Sequence, residues 1–81
     1  MIIMKINVRY FASIRDITGR DEECIEINSD DINELKTILF KKYPELLDRR
    51  QIFFAVNEEY YNGQRLKDSD NIAVFPQVSG G

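Results

Sequence analysis

The chain has 81 residues, of which 43% are hydrophobic, and its formal net charge at pH 7 is −3. A single domain of that length buries roughly 60% of its unfolded surface, which leaves little space for an internal active site. The acidic balance excludes the basic footprint of nucleic-acid-binding proteins. The longest apolar runs are far shorter than the roughly 20 residues of a membrane-spanning helix. We therefore expect protein partners, and neither nucleic acid nor a membrane.

Histidine is absent, and Cys24 is the single cysteine. Catalytic triads that need histidine, HExxH zinc sites and histidine general bases are thereby excluded from this chain. One cysteine cannot form an internal disulfide and no secretory signal is recognisable, so we expect a cytoplasmic protein. The chemistry must then rest on carboxylates and lysines, or lie in a partner enzyme.

The first third of the chain predicts two paired strands with a short helix between them. Residues 3–11 alternate between apolar and polar side chains, which indicates a strand with one buried face. Apolar residues three apart, followed by Gly19, predict one or two helical turns over residues 12–19. Alternation resumes over residues 22–28, so a second strand is expected to form a hairpin with the first.

The central part of the chain predicts one amphipathic helix. Asp31 is a suitable N-cap, and Glu34 follows at the spacing of a capping box. The helix should end before Pro44, and residues 45–49 could add a further helical turn. An apolar stripe at helical spacing is expected to pack on the core; it consists of Ile32, Leu35, Ile38 and Leu39.

The second half predicts three more strands and their turns. Residues 51–57 have the strongest β propensity, residues 60–61 form a short strand, and Asn62-Gly63 is a turn signal. Leu66 should anchor the following loop, and a last strand runs from Ile72 to Phe75 or Val78. The order indicates an α+β domain over residues 1–75, with a helix across one sheet face and a C-terminal tail over residues 76–81.

The chain ends in Gly80-Gly81. Without Cβ atoms these residues make a thin tip that can enter a narrow slot. The carboxylate of Gly81 is ionised at neutral pH, so it could attack a nucleoside triphosphate and form an acyl-adenylate. The alternative is that the two glycines are an ordinary frayed chain end.

Several motifs then occur in the order found in one family. They are Tyr10-Phe11-Ala12, Arg15-Asp16, Thr18-Gly19, Ala55-Val56-Asn57, Leu66 before Asp68-Ser69-Asp70, and residues 73–81. Through these motifs the chain resembles, over essentially its whole length, the ubiquitin-like β-grasp sulfur carriers that are small subunits of molybdopterin synthase. The family tail usually reads Pro-Pro-Val-Ser/Thr-Gly-Gly, so Gln77 replaces its second proline. Ser69 stands where the family often has glycine.

The resemblance implies a mixed sheet of four to five strands with one main helix across one face. It also implies a carrier that is not an enzyme by itself. An E1-like enzyme would use ATP and magnesium to adenylate the Gly81 carboxylate, and a sulfur donor protein would convert it to a thiocarboxylate. The tail would then enter the large synthase subunit, in a heterotetramer, and give its sulfur to cyclic pyranopterin monophosphate. The inserted residues would be Pro76, Gln77, Val78, Ser79, Gly80 and Gly81, and the carrier itself would bind neither cofactor nor metal.

A carrier also needs a docking surface. Phe11 falls on the polar side of the first strand, and Tyr60 lies in a short strand that we expect to be exposed. If Ile72 and Val74 face the helix, Phe75 points to the outer face of the sheet. We predict that these three rings form an apolar patch for the large subunit and the activating enzyme. Arg15 could pair with an acidic residue of the partner. The alternatives are that the rings cover the end of a small core and that Arg15 is only solvated.

Three other functions remain open on the sequence. A thiamine-pathway sulfur carrier shares the fold and the Gly-Gly end, but its members are usually shorter. A ubiquitin-like protein modifier would be joined to lysines of target proteins. A binding module with an inert tail would keep its activity after loss of Gly80 and Gly81.

Overall fold

The computed structural model describes residues 3–48 and 52–76, and these form one mixed sheet with helices packed against it. The order along the chain confirms the predicted α+β class. The elements are β1 (Met4–Tyr10), α1 (Ala12–Thr18), β2 (Glu22–Ile27), α2 (Ile32–Lys42), a 3-10 helix (Pro44–Asp48), β3 (Ile52–Val56), β4 (Glu59–Tyr60) and β5 (Asn71–Pro76).

The described strands make a five-stranded sheet in the order β2-β1-β5-β3-β4. β1 pairs antiparallel with β2 and parallel with β5, while β3 pairs antiparallel with both β5 and β4. The predicted hairpin of β1 and β2 is therefore confirmed. The last described strand, β5, lies in the middle of the sheet, so the described part of the chain ends at Pro76 in a central strand and not in an edge strand.

The core lies between one face of the sheet and α2. Alternate residues of β1 and β5 point into it, and Ile6, Val8 and Val74 have no exposed surface. Leu35 and Leu39 of α2 are equally buried, and Leu66 anchors the long loop before β5 with 2% exposure. Full burial of each such side chain stabilises the folded state by about 1.5–3 kcal/mol relative to exposure. The face that carries these residues therefore packs on the helix, and the opposite face of the sheet is left open to solvent.

Asp31 caps α2 as predicted, but by a different bond. Its carboxylate accepts from the backbone N–H of Asn33 at 2.9 Å, whereas the N–H of Glu34 donates to the Asp31 carbonyl. No side-chain bond from Glu34 completes a capping box among the described residues. At the other end, the Tyr43 N–H donates to the Leu39 carbonyl, and the 3-10 helix begins at Pro44. Within residues 3–48 and 52–76, no helix is both long and apolar enough to cross a bilayer.

The turn between β3 and β4 is formed by Asn57 and Glu58, with φ of 51° and 73°. Two positive φ values in succession are characteristic of a type I′ hairpin turn, which joins strands with the correct twist. The turn signal Asn62-Gly63 lies after β4, where the chain bends and Gly63 has a φ of 100°. Ser69 also has a positive φ, of 71°, so serine keeps the left-handed conformation at a site where the resembled family often has glycine.

A polar cluster closes one end of the core. The side chain of Glu23 is only 5% exposed, and its Oε2 accepts from the hydroxyls of Tyr10 at 2.5 Å and Tyr43 at 2.6 Å. The Lys42 ammonium donates to Oε1. Burial alone would raise the pKa of the Glu23 carboxyl, but the hydrogen bonds from Lys42, Tyr10 and Tyr43 outweigh it and lower that pKa. The cluster ties β1, β2 and the end of α2 together.

Candidate docking surface and C-terminal tail

The tail begins at the end of β5. This strand continues to Pro76, which pairs with Ile52, so the strand extends one residue beyond the predicted domain boundary. Residues 77–81 lie outside the described residues, and the roles assigned to Gln77, Val78, Ser79, Gly80 and Gly81 stay predictions. The structure establishes where the tail starts: at the sheet centre, beside the first residue of β3.

β5 presents its two sets of side chains to opposite faces of the sheet. Ile72 and Val74 are buried against the helix side, with 1% and no exposed surface. Ala73 and Phe75 therefore point to the outer face, as the alternation predicts. On that face the register places Phe75 opposite Phe53, and Ala73 opposite Ala55.

Three aromatic side chains lie together on this outer face, and we call them the aromatic patch: Phe53, Tyr60 and Phe75. The Phe75 ring stacks on the Phe53 ring, with centroids 6.0 Å apart, and is tilted against the Tyr60 ring, with centroids 5.8 Å apart. Phe53 is 39% exposed and Tyr60 is 72% exposed. Because these rings contact one another on the side away from the core, core packing does not account for them.

Phe11 lies on the same side of the sheet but apart from the aromatic patch. Its N–H donates to the Val74 carbonyl at 3.1 Å, and its ring is 42% exposed. The Arg9 guanidinium lies 5.9 Å from the ring centroid, and both residues line a shallow depression together with Ala73. Among the described residues, the predicted trio therefore separates into a contacting pair, Tyr60 and Phe75, and Phe11 across β5 from them.

Arg15 lies on the exposed side of α1. Its guanidinium is 3.5 Å from the carboxylate of Asp21, and both side chains are more than half exposed. Such surface pairs contribute at most about 1 kcal/mol. Arg15 can therefore exchange Asp21 for an acidic partner residue at little cost.

Phe53 is the functional candidate that the sequence interpretation missed. Alternation along residues 52–56 places Phe53 and Ala55 on one face and Phe54 on the other. Because both faces are apolar, the pattern indicates only a strand with neighbours on both sides in the sheet and does not single out Phe53. The signal that distinguishes Phe53 is the register that places it opposite Phe75, and that register is set by the pairing of β3 with β5.

The polar side chains next to this surface satisfy one another. The Asn7 amide donates to Asn71 at 3.0 Å, and the Asn57 amide donates to the Asp70 carboxylate at 3.0 Å. Asp70 also accepts from the Lys67 N–H at 2.7 Å. In the part of the chain that the structure describes, no group of three or more histidine, cysteine, aspartate or glutamate side chains is arranged to hold a metal ion.

Comparison with known proteins gives a family that covers this chain almost completely. The ThiS family matches residues 8–81. The molybdopterin synthase sulfur carrier subunit of Mycobacterium tuberculosis (strain ATCC 25618 / H37Rv) is 38% identical over 84 residues, covering 98% of this chain and all of that protein.

Solved structures agree with the sequence match. The structure assigned to subunit 1 of the molybdopterin converting factor of Pyrococcus furiosus superposes with a TM-score of 0.84 at 30% identity, covering 93% of this chain and 99% of that one. A chain from the Helicobacter pylori complex of subunits 1 and 2 of molybdopterin-converting factor superposes with a TM-score of 0.66 at 32% identity. The match covers 96% of this chain and 100% of that one. The ubiquitin-like β-grasp fold expected from the sequence is thereby confirmed. The chain belongs to the ThiS family, and its relatives named as molybdopterin synthase sulfur carrier subunits match it over nearly its full length.

Proposed function

We propose that this chain is the sulfur carrier subunit of a molybdopterin synthase and that the Gly81 carboxylate is the group that carries sulfur. The observation that carries the proposal is the full-length match to named sulfur carrier subunits, in a family match that extends to Gly81 itself. The position of β5 supports it, because this central strand ends at Pro76, directly after Phe75 of the exposed aromatic patch.

The chemistry at Gly81 is activation followed by exchange of oxygen for sulfur. The ionised carboxylate attacks the α-phosphate of ATP and releases pyrophosphate, which gives an acyl-adenylate. A persulfide of the donor protein then displaces AMP and forms an acyl disulfide with Gly81. A second thiol attacks the donor sulfur of that S–S bond, which leaves the thiocarboxylate on Gly81 and a disulfide between the thiol and the donor. ATP and magnesium belong to the E1-like enzyme in this scheme. The chain contributes a reachable tail, in which Pro76 restricts the backbone and reduces the ordering entropy lost on docking.

The large synthase subunit is the proposed partner for the outer face. The Helicobacter pylori relative was solved as a complex of subunits 1 and 2. By analogy, we expect the aromatic patch, Phe11 and Arg15 to contact the large subunit while the tail enters its substrate pocket. Aromatic anchors of this kind commonly dominate binding energy, and a buried hot spot contributes about 2 kcal/mol or more.

The carrier function is tested by intact-mass analysis. The chain is incubated with an E1-like enzyme, ATP and a sulfur donor, and one oxygen at Gly81 should be replaced by sulfur. The loaded chain is then mixed with a large subunit and cyclic pyranopterin monophosphate, where it should yield molybdopterin. Loading without molybdopterin formation would favour a thiamine-pathway carrier, and an isopeptide bond to target lysines would favour a protein modifier.

The docking surface is tested by Phe75→Ala. We expect the affinity for the large subunit to fall about 30-fold, which corresponds to loss of one hot spot. Ile3→Ala is the matched control, because Ile3 is 57% exposed but precedes β1, away from the tail. Unchanged affinity for Phe75→Ala, with an intact circular dichroism spectrum, would contradict the proposed surface.

A further inference from the structure

The strand β2 forms an open edge of the sheet. Among the described strands, β2 has β1 on one side and no strand on the other, whereas the opposite edge is formed by β4, which has only two residues. Six consecutive residues of β2, Glu22–Ile27, pair with β1 without a bulge, and none of them is proline or glycine. Proteins usually protect such an edge with a short strand, a bulge, a proline or charged side chains, and of these β2 has only the charges.

The ladder with β1 fixes which backbone groups of β2 face outward. The Tyr10 N–H donates to the Asp21 carbonyl at 2.8 Å, so every second pair that follows along the register is also hydrogen-bonded. The Asn7 N–H, in the alternate phase of β1, donates instead to the Asp70 carbonyl on the β5 side at 2.9 Å. The residues of β2 whose N–H and C=O groups point away from the sheet are therefore Glu22, Cys24 and Glu26.

The side chains of these three residues lie on the outer face of the sheet, and all three are exposed. No helix or loop of the described chain therefore covers the edge. The side chains that alternate with them face the helix side, where Ile25 is 6% exposed and Ile27 is 2% exposed. A strand added beside β2 would thus extend an apolar row on the helix side and a polar row on the outer face.

Charges on the outer face alternate in sign from strand to strand. The register places Arg9 opposite Glu22, and their charged groups approach to 3.7 Å. It also places Lys5 opposite Glu26. Each glutamate has a cation on the β1 side and solvent on the other. Because opposite charges directly across a sheet attract and like charges repel, an added strand should carry cations opposite these two glutamates.

A second copy of β2 does not meet this requirement. The antiparallel register that pairs all three outward residues centres on Cys24. It places Glu22 of one copy opposite Glu26 of the other at both ends of the pairing, where the like charges repel. The two glutamates therefore protect the edge against self-association and leave it open to a basic strand.

We propose that the β2 edge binds, by antiparallel strand addition, an extended segment of a partner protein that has basic side chains four residues apart and a small one midway. The basic side chains pair with Glu22 and Glu26, the small one lies opposite Cys24, and the intervening side chains are apolar. Main-chain hydrogen bonds supply the affinity in this mode, and the side chains supply the specificity. The site goes beyond the proposed function: β1 separates β2 from β5, by about 10 Å, so the aromatic patch stays free.

Titration of the ¹⁵N-labelled full chain with the acetylated and amidated peptide Thr-Lys-Val-Thr-Val-Lys-Thr tests the edge. At low salt, the Glu22, Cys24 and Glu26 amides should shift in a saturable way, and their hydrogen exchange should slow. N-methylation of the central threonine should abolish binding, because it removes the N–H that faces Cys24. N-methylation of either valine should leave binding intact, because that N–H points away from β2.

Charge exchange tests the specificity. Replacing both lysines of the peptide by glutamate should weaken binding about 10-fold, because two attractive cross-strand pairs become repulsive. Glu26→Lys should weaken binding of the lysine peptide and strengthen binding of the glutamate peptide. Glu59→Lys is the control, because it makes the same charge change at an exposed residue of β4, on the opposite edge. It should leave both affinities unchanged.

Several results would overturn the proposal. These are the absence of a saturable response at the β2 amides, and binding that is unaffected by N-methylation of the central threonine, which would indicate only a general charge attraction. A response at the β4 amides instead would place the peptide at the other edge. Dimerisation of the free chain with protection of the β2 amides would identify a second copy as the occupant. The titration needs neither Gly81 chemistry nor an activating enzyme, so a failure of sulfur loading would reject the carrier function and leave this result standing.

Discussion

Glu23→Gln tests the polar cluster that closes the core. In the wild type, the Glu23 carboxylate accepts from two tyrosine hydroxyls, at 2.5 and 2.6 Å, and from the Lys42 ammonium. Hydrogen bonds to a charged group contribute about 1.5–3 kcal/mol, against about 1 kcal/mol for neutral pairs. Glutamine keeps an acceptor but loses the charge.

The magnitude follows from those two bonds. Each tyrosine bond should weaken by about 1 kcal/mol, and the Lys42 pair adds less because that side chain is 46% exposed. We therefore expect Glu23→Gln to lower the free energy of unfolding at pH 7 by about 2–3 kcal/mol. In a domain of this size, that corresponds to a fall in Tm of about 10–20 °C.

The effect should depend on pH. The pKa of Glu23 is lowered on folding, since the bonds from Lys42, Tyr10 and Tyr43 outweigh the opposing effect of burial. Below its ordinary value of 4.5, the unfolded chain binds a proton that the folded chain resists. The contribution of Glu23 is thus complete above that value and is lost as the pH falls through the folded pKa. The difference in the free energy of unfolding between the wild type and Glu23→Gln should therefore be smaller at pH 3 than at pH 7.

Chemical denaturation followed by circular dichroism at pH 7 and pH 3 measures the loss of stability and its dependence on pH. Glu22→Gln is the control, because the adjacent Glu22 pairs with Arg9 at 3.7 Å with both side chains more than half exposed. That substitution should change stability by less than about 1 kcal/mol. A gap for Glu23→Gln that is equal at both pH values, or no larger than the control, would refute the role of the cluster.

Three further substitutions test local backbone features, with unfolding free energies as the measurement. Glu58→Gly should stabilise the chain by about 0.5–1 kcal/mol, because it relieves the positive φ of 73° in the β3–β4 turn, whereas Glu59→Gly in β4 should destabilise it. Ser69→Gly should stabilise the folded chain by a similar or smaller amount, because glycine adopts the φ of 71° at this position without strain. A loss of stability would contradict the assignment of strain. Asp31→Ala should cost about 1 kcal/mol by removing the N-cap bond to Asn33, and no measurable cost would contradict that cap.

Local features were predictable because they depend on neighbours in sequence. Alternation fixed which residues of β1 and β5 are buried, so the outward position of Phe75 followed from the pattern. The N-cap at Asp31 and the left-handed Gly19 after α1 followed from residue chemistry at helix ends. The bend at Asn62-Gly63 after β4 also followed from its residues, whereas the Asn57-Glu58 turn was not predicted, because its conformation is imposed by the paired strands.

Features that join distant parts of the chain were not predictable from pattern alone. The place of β5 between β1 and β3 depends on pairing between residues far apart, and no local signal fixes it. Phe53 gained its significance only from the register with Phe75. No local signal singled out Glu23, whose side chain is only 5% exposed because Lys42 and Tyr43 at the end of α2 lie beside it.

The claim that the Gly81 carboxylate carries sulfur is tested most directly by appending one alanine after Gly81. Wild type and extended chain are incubated side by side with an E1-like enzyme, ATP and a sulfur donor, and their intact masses are compared. The wild type should exchange one oxygen for sulfur, while the extended chain should remain unmodified and keep its fold and much of its affinity for the large subunit. Equal sulfur loading of the extended chain, or no loading of the wild type by any such enzyme, would contradict the claim.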